Sequence, residues 1–255
     1  MIKIENISTY GWETAIRGMR NPMNSWDKSD SYLCKKCINC EVDPSDCPID
    51  GTGEDIDKYY SNGCYIIGEN DMKLMKSLFK GGTEHRKYLR FINVTMDITA
   101  PLYWWKEFDT YKIGTNCNSC STMHKIHAKE FTLDDFSCEH LIDTDKVEIV
   151  KEDWVDVSPD ESGYDEWDAI EFVKMIVRAL NVYRGRYLET KDKKYWWQMI
   201  QLLPTSYNQR RTIQMNYEVA VRMIEQRKNH KLDEWHDMVE VLLNLPYMKK
   251  IMGVE

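Results

Sequence analysis

Residues 88–114 read YLRFINVTMDITAPLYWWKEFDTYKIG, and this stretch carries the strongest structural signal in the chain. Apolar side chains occupy every second position from Ile92 onward, with polar side chains between them, which is typical of a strand with one buried face. Pro101 suits the first turn of a helix, and Gly114 suits its end. We therefore expect a half-buried strand over 88–99 that leads into a helix whose tryptophans belong to the core.

The N-terminal side of this stretch predicts a strand, two helices and a long insertion. A short strand covers residues 2–8, and a helix over residues 12–20 ends before a proline. A second helix begins with Asn70 as its cap and ends at residues 81–82, which are both glycine. Residues 23–67 are rich in turn residues and cysteine, so we interpret them as an insertion.

The C-terminal third predicts helices, because apolar residues recur there at helical spacing. In the third of these helices Asn216 and Arg227 are eleven positions apart, which places them on one face with Met223, separated by about 16 Å along the axis. The chain is therefore a mixed α and β protein. The predicted helices cover about 165–188, 193–202, 208–228 and 233–245.

The composition indicates an ordinary globular protein, since the 255 residues are 42% hydrophobic and 30% charged. The mean hydropathy is −0.59, no apolar run reaches about 18 residues, and the N-terminus lacks the pattern of a secretory signal. We therefore expect a cytoplasmic protein with no membrane span. The formal net charge of −8 has the wrong sign for a protein whose main partner is double-stranded nucleic acid.

Charge is unevenly distributed along the chain. Residues 134–171 contain fifteen acidic residues and two lysines, whereas residues 184–231 contain eleven basic and four acidic residues. One interpretation is two solvated faces that attract each other within the fold or between subunits. The other is that the basic segment contributes to a pocket for a small phosphorylated ligand.

Eight cysteines in a chain without a secretory signal indicate thiols or metal ligands rather than a disulfide framework. Four of them are spaced closely enough for one turn-rich loop to wrap four thiolates around a structural zinc ion. The alternative is a surface loop with free thiols, because a zinc ribbon shows two separated cysteine pairs. The four candidate zinc ligands are Cys34, Cys37, Cys40 and Cys47.

A second group of sulfur and imidazole side chains consists of Cys117, Cys120, His124 and His127. Their links are shorter than those of a zinc finger. We therefore predict a helix or loop that lines a pocket rather than a metal site.

Two longer strings resemble the flavin-dependent thymidylate synthases, the thymidylate-synthase-complementing family. They are FINVTMDITAPLYWWKEFDTYKIGTNCNSCSTMH, residues 91–124, and LLPTSYNQRRTIQMNYEVAVRMIEQRKNHKLDEW, residues 202–235. In that family a strand runs through a proline-containing turn into a helix, and the signature RHRxxSxNExSxRY follows. A leucine-proline, a tyrosine-rich turn and an Asn-to-Arg helix then complete the nucleotide site.

The resemblance covers residues 1–20 and 70–245. It implies an α/β (α+β) fold with a central, mostly antiparallel sheet packed with helices and a helical C-terminal third. The expected organisation is a single domain over residues 1–255, with the cysteine-rich loop insertion at about 23–67 lying outside the resemblance.

Aligned without gaps from Ala100, the family signature loses most of its charged residues in this chain. Its two flavin-phosphate arginines fall on Thr110 and Lys112, its glutamate on Asn118, its pyrimidine-facing serine on Cys120 and its last arginine on Thr122. Another family arginine, just before the leucine-proline, falls on Ile200.

The resemblance implies two sets of binding residues. The cofactor-binding candidates are His85, Lys112, Asn118 and Asn216, and the substrate-binding candidates are Cys120 and Arg227. Cys120 is also a candidate nucleophile toward a pyrimidine, with a small packing residue as the alternative. For His85 the alternative is a structural or surface histidine, and for Arg227 it is an ion pair with the acidic segment of another subunit.

The family chemistry is the reductive methylation of dUMP, with FAD as the cofactor, methylenetetrahydrofolate as the carbon donor and NADPH as the reductant. Family members build their sites between the subunits of a homotetramer. Because the signature is degenerate here, two alternatives stay open. One is a catalytically lost relative that binds a nucleotide or a protein partner, and the other is an interaction protein that uses the cysteine-rich insertion.

Overall fold

The computed structural model describes residues 2–34, 64–150 and 164–254. By compactness the chain divides into two units. We call them the sheet unit, made of Ile2–Thr99, Lys106–Ser119 and Arg210–Glu255, and the hairpin unit, made of Ala100–Trp105 and Cys120–Gln209. The single domain over 1–255 with an insertion at about 23–67 stays a prediction, and residues 35–63 of that insertion lie outside the described residues.

The described residues form eight strands and eight α-helices. The strands are β1 (Lys3–Tyr10), β2 (Tyr32–Cys34), β3 (Cys64–Ile66), β4 (Asn93–Pro101), β5 (Thr115–Ser119), β6 (Val147–Val150), β7 (Tyr164–Trp167) and β8 (Asn208–Asn216). The helices are α1 (Trp12–Arg20), α2 (Glu69–Lys80), α3 (Leu102–Phe108), α4 (Ala169–Thr190), α5 (Lys193–Leu202), α6 (Tyr217–Arg227), α7 (Asp233–Leu243) and α8 (Met248–Met252). Short 3-10 helices cover Asn21–Met23, Trp26–Lys28, Lys87–Arg90 and Leu133–Asp135.

The sheet unit is built on a four-stranded sheet with the order β1-β4-β8-β5. β1 pairs antiparallel with β4, and β5 pairs antiparallel with β8. One face of the two central strands is buried, because their apolar residues alternate with polar ones. The buried residues of that face are Val94, Met96, Ile98, Ile213 and Met215. This arrangement confirms the mixed fold with an antiparallel central sheet.

An aromatic cluster ties the start of the sheet unit to its last helices. The ring of Trp12 packs edge-on against Tyr217 and Tyr247, with centroid distances of 5.2 and 5.5 Å. The Tyr217 hydroxyl donates to the carbonyl of Pro246 at 3.0 Å, and its backbone N–H donates to Ile92 at 2.9 Å. Tyr217 is fully buried and therefore fixes the first turn of α6 against the sheet.

The hairpin unit has its own apolar core. α4 and α5 pack against each other, and α4 begins at a capping box between Asp168 and Glu171. The tryptophans of α3 are fully buried, as predicted, and the Trp105 indole donates to the Gln209 carbonyl at 2.9 Å. The buried core residues are Ile126, Phe131, Phe136, Leu180 and Met199. None of the helices in the described ranges is long and apolar enough to cross a membrane.

The predicted boundaries of several elements differ from the observed ones. The prediction that Asn70 caps α2 is wrong, because Gly68 is the cap residue and the Asp30 carboxylate accepts from the N–H groups of Asn70 and Asp71. The strand predicted over 88–99 begins only at Asn93, after a 3-10 turn, and runs to Pro101.

One predicted helix is wrong over its first half. The segment 208–228 is a strand up to Asn216 and a helix only from Tyr217. The spacing of four from Ile213 to Tyr217 mimics a helix, whereas the buried Met215 shows the two-residue period of a strand. Asn216 and Arg227 therefore do not share a face inside one helix.

Candidate functional site

Arg227, the predicted nucleotide ligand, lies at the last position of α6 among aromatic and acidic side chains. Its Nε donates to the Tyr111 hydroxyl at 2.9 Å, and its Nη1 donates to Glu107 Oε2 at 2.5 Å. The guanidinium carbon lies 4.7 Å from the ring centroid of Trp235 and 5.5 Å from that of Tyr111. These contacts hold the guanidinium in place, and the side chain of Arg227 is only 16% exposed.

A second arginine of α6 reaches the same tyrosine. The guanidinium carbon of Arg222 lies 5.4 Å from the Tyr111 ring centroid. Its Nε is buried and has no hydrogen-bond partner among the described residues. Tyr111 also donates to Gln226 Oε1 at 2.9 Å, so three residues of one helix converge on this ring.

Glu107 supplies the negative charge of this site. Besides the Arg227 contact, its Oε2 lies 3.4 Å from Nε2 of His230, whose ring is 6.1 Å from Trp235. The side chain of Glu107 is 41% exposed, so its ion pair is partly screened by water. We call Glu107, Tyr111, Arg222, Arg227, His230 and Trp235 the Arg227 cluster.

Asn216 lies at the opposite end of α6 and caps it. Its Oδ1 accepts from the backbone N–H of Val219 at 3.0 Å, which satisfies one of the free donors of the first turn. Gly114 sits against this cap with a φ of +82°, and a Cβ there would lie 2.8 Å from Asn216 Nδ2. Any residue other than glycine is therefore disfavoured at this position. Its side chain would collide with Asn216, and its backbone would have to adopt a left-handed conformation.

Two further flavin-site candidates lie before and on β5. Lys112 is exposed in the turn before β5, and Asn118 is exposed on β5, where it stands opposite Thr212 in the register with β8. The prediction of a helix or loop for Cys117 is wrong, because Thr115–Ser119 form a strand. This strand lies at an edge of the sheet, and its residues from Asn116 to Ser119 are exposed.

The remaining predicted site residues, His85 and Cys120, lie at exposed positions. His85 is exposed in the turn after α2, with its ring against Gly81. Cys120 is exposed in the hairpin unit, where its carbonyl accepts from Gln209 Nε2 at 2.8 Å.

The cysteine cluster is only partly described. Cys34 is a free, half-buried cysteine at the end of β2, and its backbone is in register with Cys64 of β3. The other three candidate ligands, Cys37, Cys40 and Cys47, lie outside the described residues, so the zinc site stays a prediction. Within the described ranges no group of three or more His, Cys, Asp or Glu side chains is arranged to hold a metal ion.

The polar face of the sheet carries a second network. Asp97 on β4 accepts from Thr212 Oγ1 at 2.5 Å, from Asn6 Nδ2 at 2.7 Å and from Arg210 Nη2 at 2.8 Å. The hydrogen bond from Thr212, together with those from Arg210 and Asn6, lowers the pKa of Asp97 to about 2. The carboxylate is therefore charged at neutral pH and holds three strands together.

A cavity of about 480 Å³ lies elsewhere in the sheet unit, between the end of α2 and α8. No predicted site residue lines it. Its lining includes Lys76, Leu245, Tyr247, Met248, Lys249 and Lys250.

The prediction of Arg227 did not extend to its neighbours. Glu107, Tyr111 and Arg222 were not predicted as site residues, because their meeting depends on how α3 and α6 pack. A weak signal existed, since Glu107 and Tyr111 are four positions apart, the spacing of neighbours on a helix.

The side chains of Lys112, Asn118 and Asn216 fit a flavin cofactor in part. Lys112 offers a cation, and Asn118 and Asn216 offer amide donors, all around the β5–β8 pair and the start of α6. The carbonyl oxygen of Asn216 is already used by the helix cap, which leaves its amide nitrogen for a ligand. These groups suit the polar edge and phosphates of a dinucleotide better than its apolar parts.

The comparisons with known proteins concern the fold alone. No protein-family model and no curated protein matches this sequence. Two solved structures of the flavin-dependent thymidylate synthase ThyX from Helicobacter pylori, each with FAD and dUMP, have TM-scores of 0.57 and 15% sequence identity. Their alignments cover 98% and 99% of this chain and 97% of each ThyX chain.

A third similar structure is the UMP/dUMP methylase PolB from Streptomyces cacaoi bound with 5-Br dUMP. Its TM-score is 0.51 at 13% identity, and the alignment covers 96% of this chain and 91% of that chain. Over nearly its whole length, this chain therefore has the fold of the flavin-dependent thymidylate synthases.

Proposed function

We propose that this protein is a flavin-dependent thymidylate synthase-like protein that binds FAD and a pyrimidine nucleotide and assembles as a homotetramer. The observation that carries the proposal is the match of 98% of this chain to 97% of a chain whose structure contains FAD and dUMP. The residues Asn216 and Arg227, which correspond to family ligands, support it from the two ends of α6.

In this proposal the two ends of α6 have different tasks. Arg227, held by Tyr111 and Trp235, binds the nucleotide, while the amide of Asn216 binds the flavin together with Lys112 and Asn118. His85 and Cys120 are further candidates for the flavin and the pyrimidine, and both are exposed. The flavin, when bound, supplies the redox chemistry for the reductive methylation of dUMP.

The second candidate function is a relative that binds a nucleotide or a protein partner without catalysis. The observation that favours it is the weakened phosphate clamp, since the family arginines are replaced by Thr110 and Lys112. An ammonium group cannot reproduce the two parallel hydrogen bonds of a guanidinium. In addition, Nη1 of Arg227 already donates to Glu107.

The first experiment is an absorption spectrum of the purified chain after incubation with FAD and desalting, with zinc quantified in the same sample. Retained flavin absorbance is expected, and Asn216→Asp should reduce it because it replaces the amide donors with a carboxylate that still caps α6. The holoprotein is then assayed for the conversion of dUMP to dTMP with NADPH and methylenetetrahydrofolate.

The outcomes separate the candidates. Retained flavin with turnover supports the enzyme, and nucleotide binding with no flavin supports the binding-only relative. If neither FAD nor a pyrimidine nucleotide binds, both candidates are wrong. Bound zinc without flavin would favour an interaction role for the cysteine-rich insertion.

A further inference from the structure

Two arginines of α6 converge on Tyr111 from different positions of the helix. The guanidinium carbons of Arg222 and Arg227 both lie within 5.5 Å of the Tyr111 ring centroid. Each guanidinium group is a positive charge beside this ring, and an anion next to either of them is favourable. In this chain, the anion that contacts Arg227 is the carboxylate of Glu107.

The two arginines differ in how well their donors are satisfied. Arg227 is hydrogen-bonded through Nε and Nη1, whereas the buried Nε of Arg222 has no partner among the described residues. A buried donor without a partner is energetically costly. The Nε of Arg222 thus lacks an acceptor within the described ranges, which favours an anion beside this guanidinium.

The acceptor chemistry that suits two guanidinium groups is a phosphate monoester. It has three oxygens and close to two negative charges at neutral pH, and guanidinium is the side-chain group that matches it best. By the resemblance, two family arginines fall on Thr110 and Ile200, so this chain lacks those two guanidinium groups. Arg222 supplies a guanidinium at a position that the resemblance did not assign.

Glu107 competes with such a ligand. A phosphate that takes the place of the Glu107 carboxylate at Nη1 of Arg227 displaces it, and the carboxylate then remains close by as a like charge. Because Glu107 is 41% exposed, it can turn into solvent without a large loss of packing. The carboxylate thus lowers the affinity for an anion but keeps the arginine oriented when no anion is bound.

We propose that Arg222 and Arg227 form a phosphate subsite and that Glu107 is its internal competing anion. This deepens the proposed function, on which it rests for the identity of the nucleotide. The subsite favours a ligand with a phosphate group over the same nucleoside without one, and Glu107 sets how large that preference is.

The test measures inorganic phosphate binding by ³¹P NMR at constant ionic strength, and dUMP and deoxyuridine binding by calorimetry. We expect Glu107→Gln to bind phosphate and dUMP about tenfold more tightly, since removing a like charge a few ångströms away changes binding by about 1–2 kcal/mol. Deoxyuridine binding should be unchanged. Glu107→Ala is the second carboxylate-free variant and should show the same gain.

The matched control is Asp109→Asn, which removes one negative charge two positions away. Asp109 pairs with Arg211 at 2.8 Å and not with the Arg227 cluster, so this variant should match the wild type. Arg222→Gln should weaken phosphate binding about tenfold. The gain of Glu107→Gln should disappear in the double variant with Arg227→Gln, because the two residues act through one contact.

The proposal is overturned if Glu107→Gln leaves phosphate binding unchanged or weakens it, or if Asp109→Asn produces the same gain. It is also overturned if the gain persists without Arg227. Failure of the proposed function looks different: FAD and deoxyuridine would not bind to any variant, while the order of phosphate affinities among the variants would still hold.

Discussion

At the scale of single residues, several charged side chains of the described ranges lie in defined pairs. Arg227 pairs with Glu107, Arg20 with Asp71, and Arg210 with Asp97. These pairs differ in exposure, and exposure determines how much each contributes to stability. The Arg20–Asp71 pair is almost fully buried, whereas Arg210 is 46% exposed.

Asp97 should make stability depend on acid pH. Its folded pKa of about 2 lies below the usual value of 3.8, so its stabilisation is complete above about pH 5 and is lost as the pH falls toward 2. We expect Asp97→Asn to lower the free energy of unfolding by about 1 kcal/mol at pH 7, after allowance for solvent screening. Urea unfolding across this pH range measures the effect.

The difference between wild type and Asp97→Asn should shrink steadily below pH 4. A difference that stays constant down to pH 2 would contradict the low pKa. Thr212→Val is the companion variant, because it removes the first of the three hydrogen bonds and should raise the pKa of Asp97 in an NMR titration.

At the scale of elements, α2 is anchored by a buried aspartate in its first turn. Burial alone would raise the pKa of Asp71, but hydrogen bonds from Ser31, Ser29 and Arg20 lower it overall. We expect Asp71→Asn to lower the free energy of unfolding by about 3–5 kcal/mol, because it leaves the Arg20 guanidinium buried without its counter-charge. Chemical denaturation monitored by circular dichroism measures this loss.

The matched control for Asp71 is Asp30→Ala. Asp30 only caps α2 from outside, through the N–H groups of Asn70 and Asp71 at 2.9 and 3.1 Å. Its removal should cost about 1 kcal/mol, the usual value for a lost helix cap. Equal effects of the two variants would show that the buried ion pair adds nothing to the cap.

The turn between β1 and α1 depends on Gly11. Its φ is +93°, and a Cβ there would lie 2.0 Å from the carbonyl oxygen of Phe91. Gly11→Ala should therefore lower the melting temperature sharply, because both the backbone conformation and the space exclude a side chain. Gly185→Ala, in the middle of α4 where a Cβ meets no atom within 4 Å, should instead stabilise by about 0.5–1 kcal/mol. Differential scanning calorimetry of both variants tests the contrast.

The elements that were predicted correctly are those whose signals are local. α1 and α5 have the predicted bounds, because a proline follows the first helix closely and another follows the second. β4 alternates so regularly that its buried face is readable from the sequence. β5 was missed because its residues are polar on both faces, so no apolar period marks it.

The candidate site was predictable only at single positions. Arg227 could be found from the resemblance, but its ion pair with Glu107 could not, since that contact joins residues 120 positions apart. The strand from Asn208 to Asn216 was mistaken for a helix for a different reason. Its two-residue period rests on Ile213 and Met215 alone, which is too short a run to distinguish a strand from a helix.

At the scale of the whole molecule, α4 presents apolar side chains that the described chain does not bury. Phe172, Met175 and Val182 are 38%, 42% and 52% exposed, and their spacing places them on one face of the helix. Apolar surface of this kind usually marks a contact with another chain. The feature agrees with the homotetramer that we propose.

We expect light scattering to give a particle of four times the 30.3 kDa chain mass. Met175→Glu combined with Val182→Glu should reduce this mass, because two buried charges at a subunit contact are unfavourable. Lys174→Ala, on an exposed position of the same helix, should leave the mass unchanged. A monomeric wild type would refute the assembly, and an unaltered mass for the double variant would place the contact elsewhere.

The interleaved order of the two units has a consequence for biosynthesis. The hairpin unit is encoded mainly by one continuous stretch, Cys120–Gln209, whereas the sheet unit needs segments from both sides of it. On the ribosome β1 and β4 emerge long before β8, which is the neighbour of β4 in the sheet. Trp12 likewise emerges long before Tyr247, against which its ring packs. We therefore expect the hairpin unit to become compact during translation and the sheet to close only after β8 has emerged, so that closure of the sheet is the slower step.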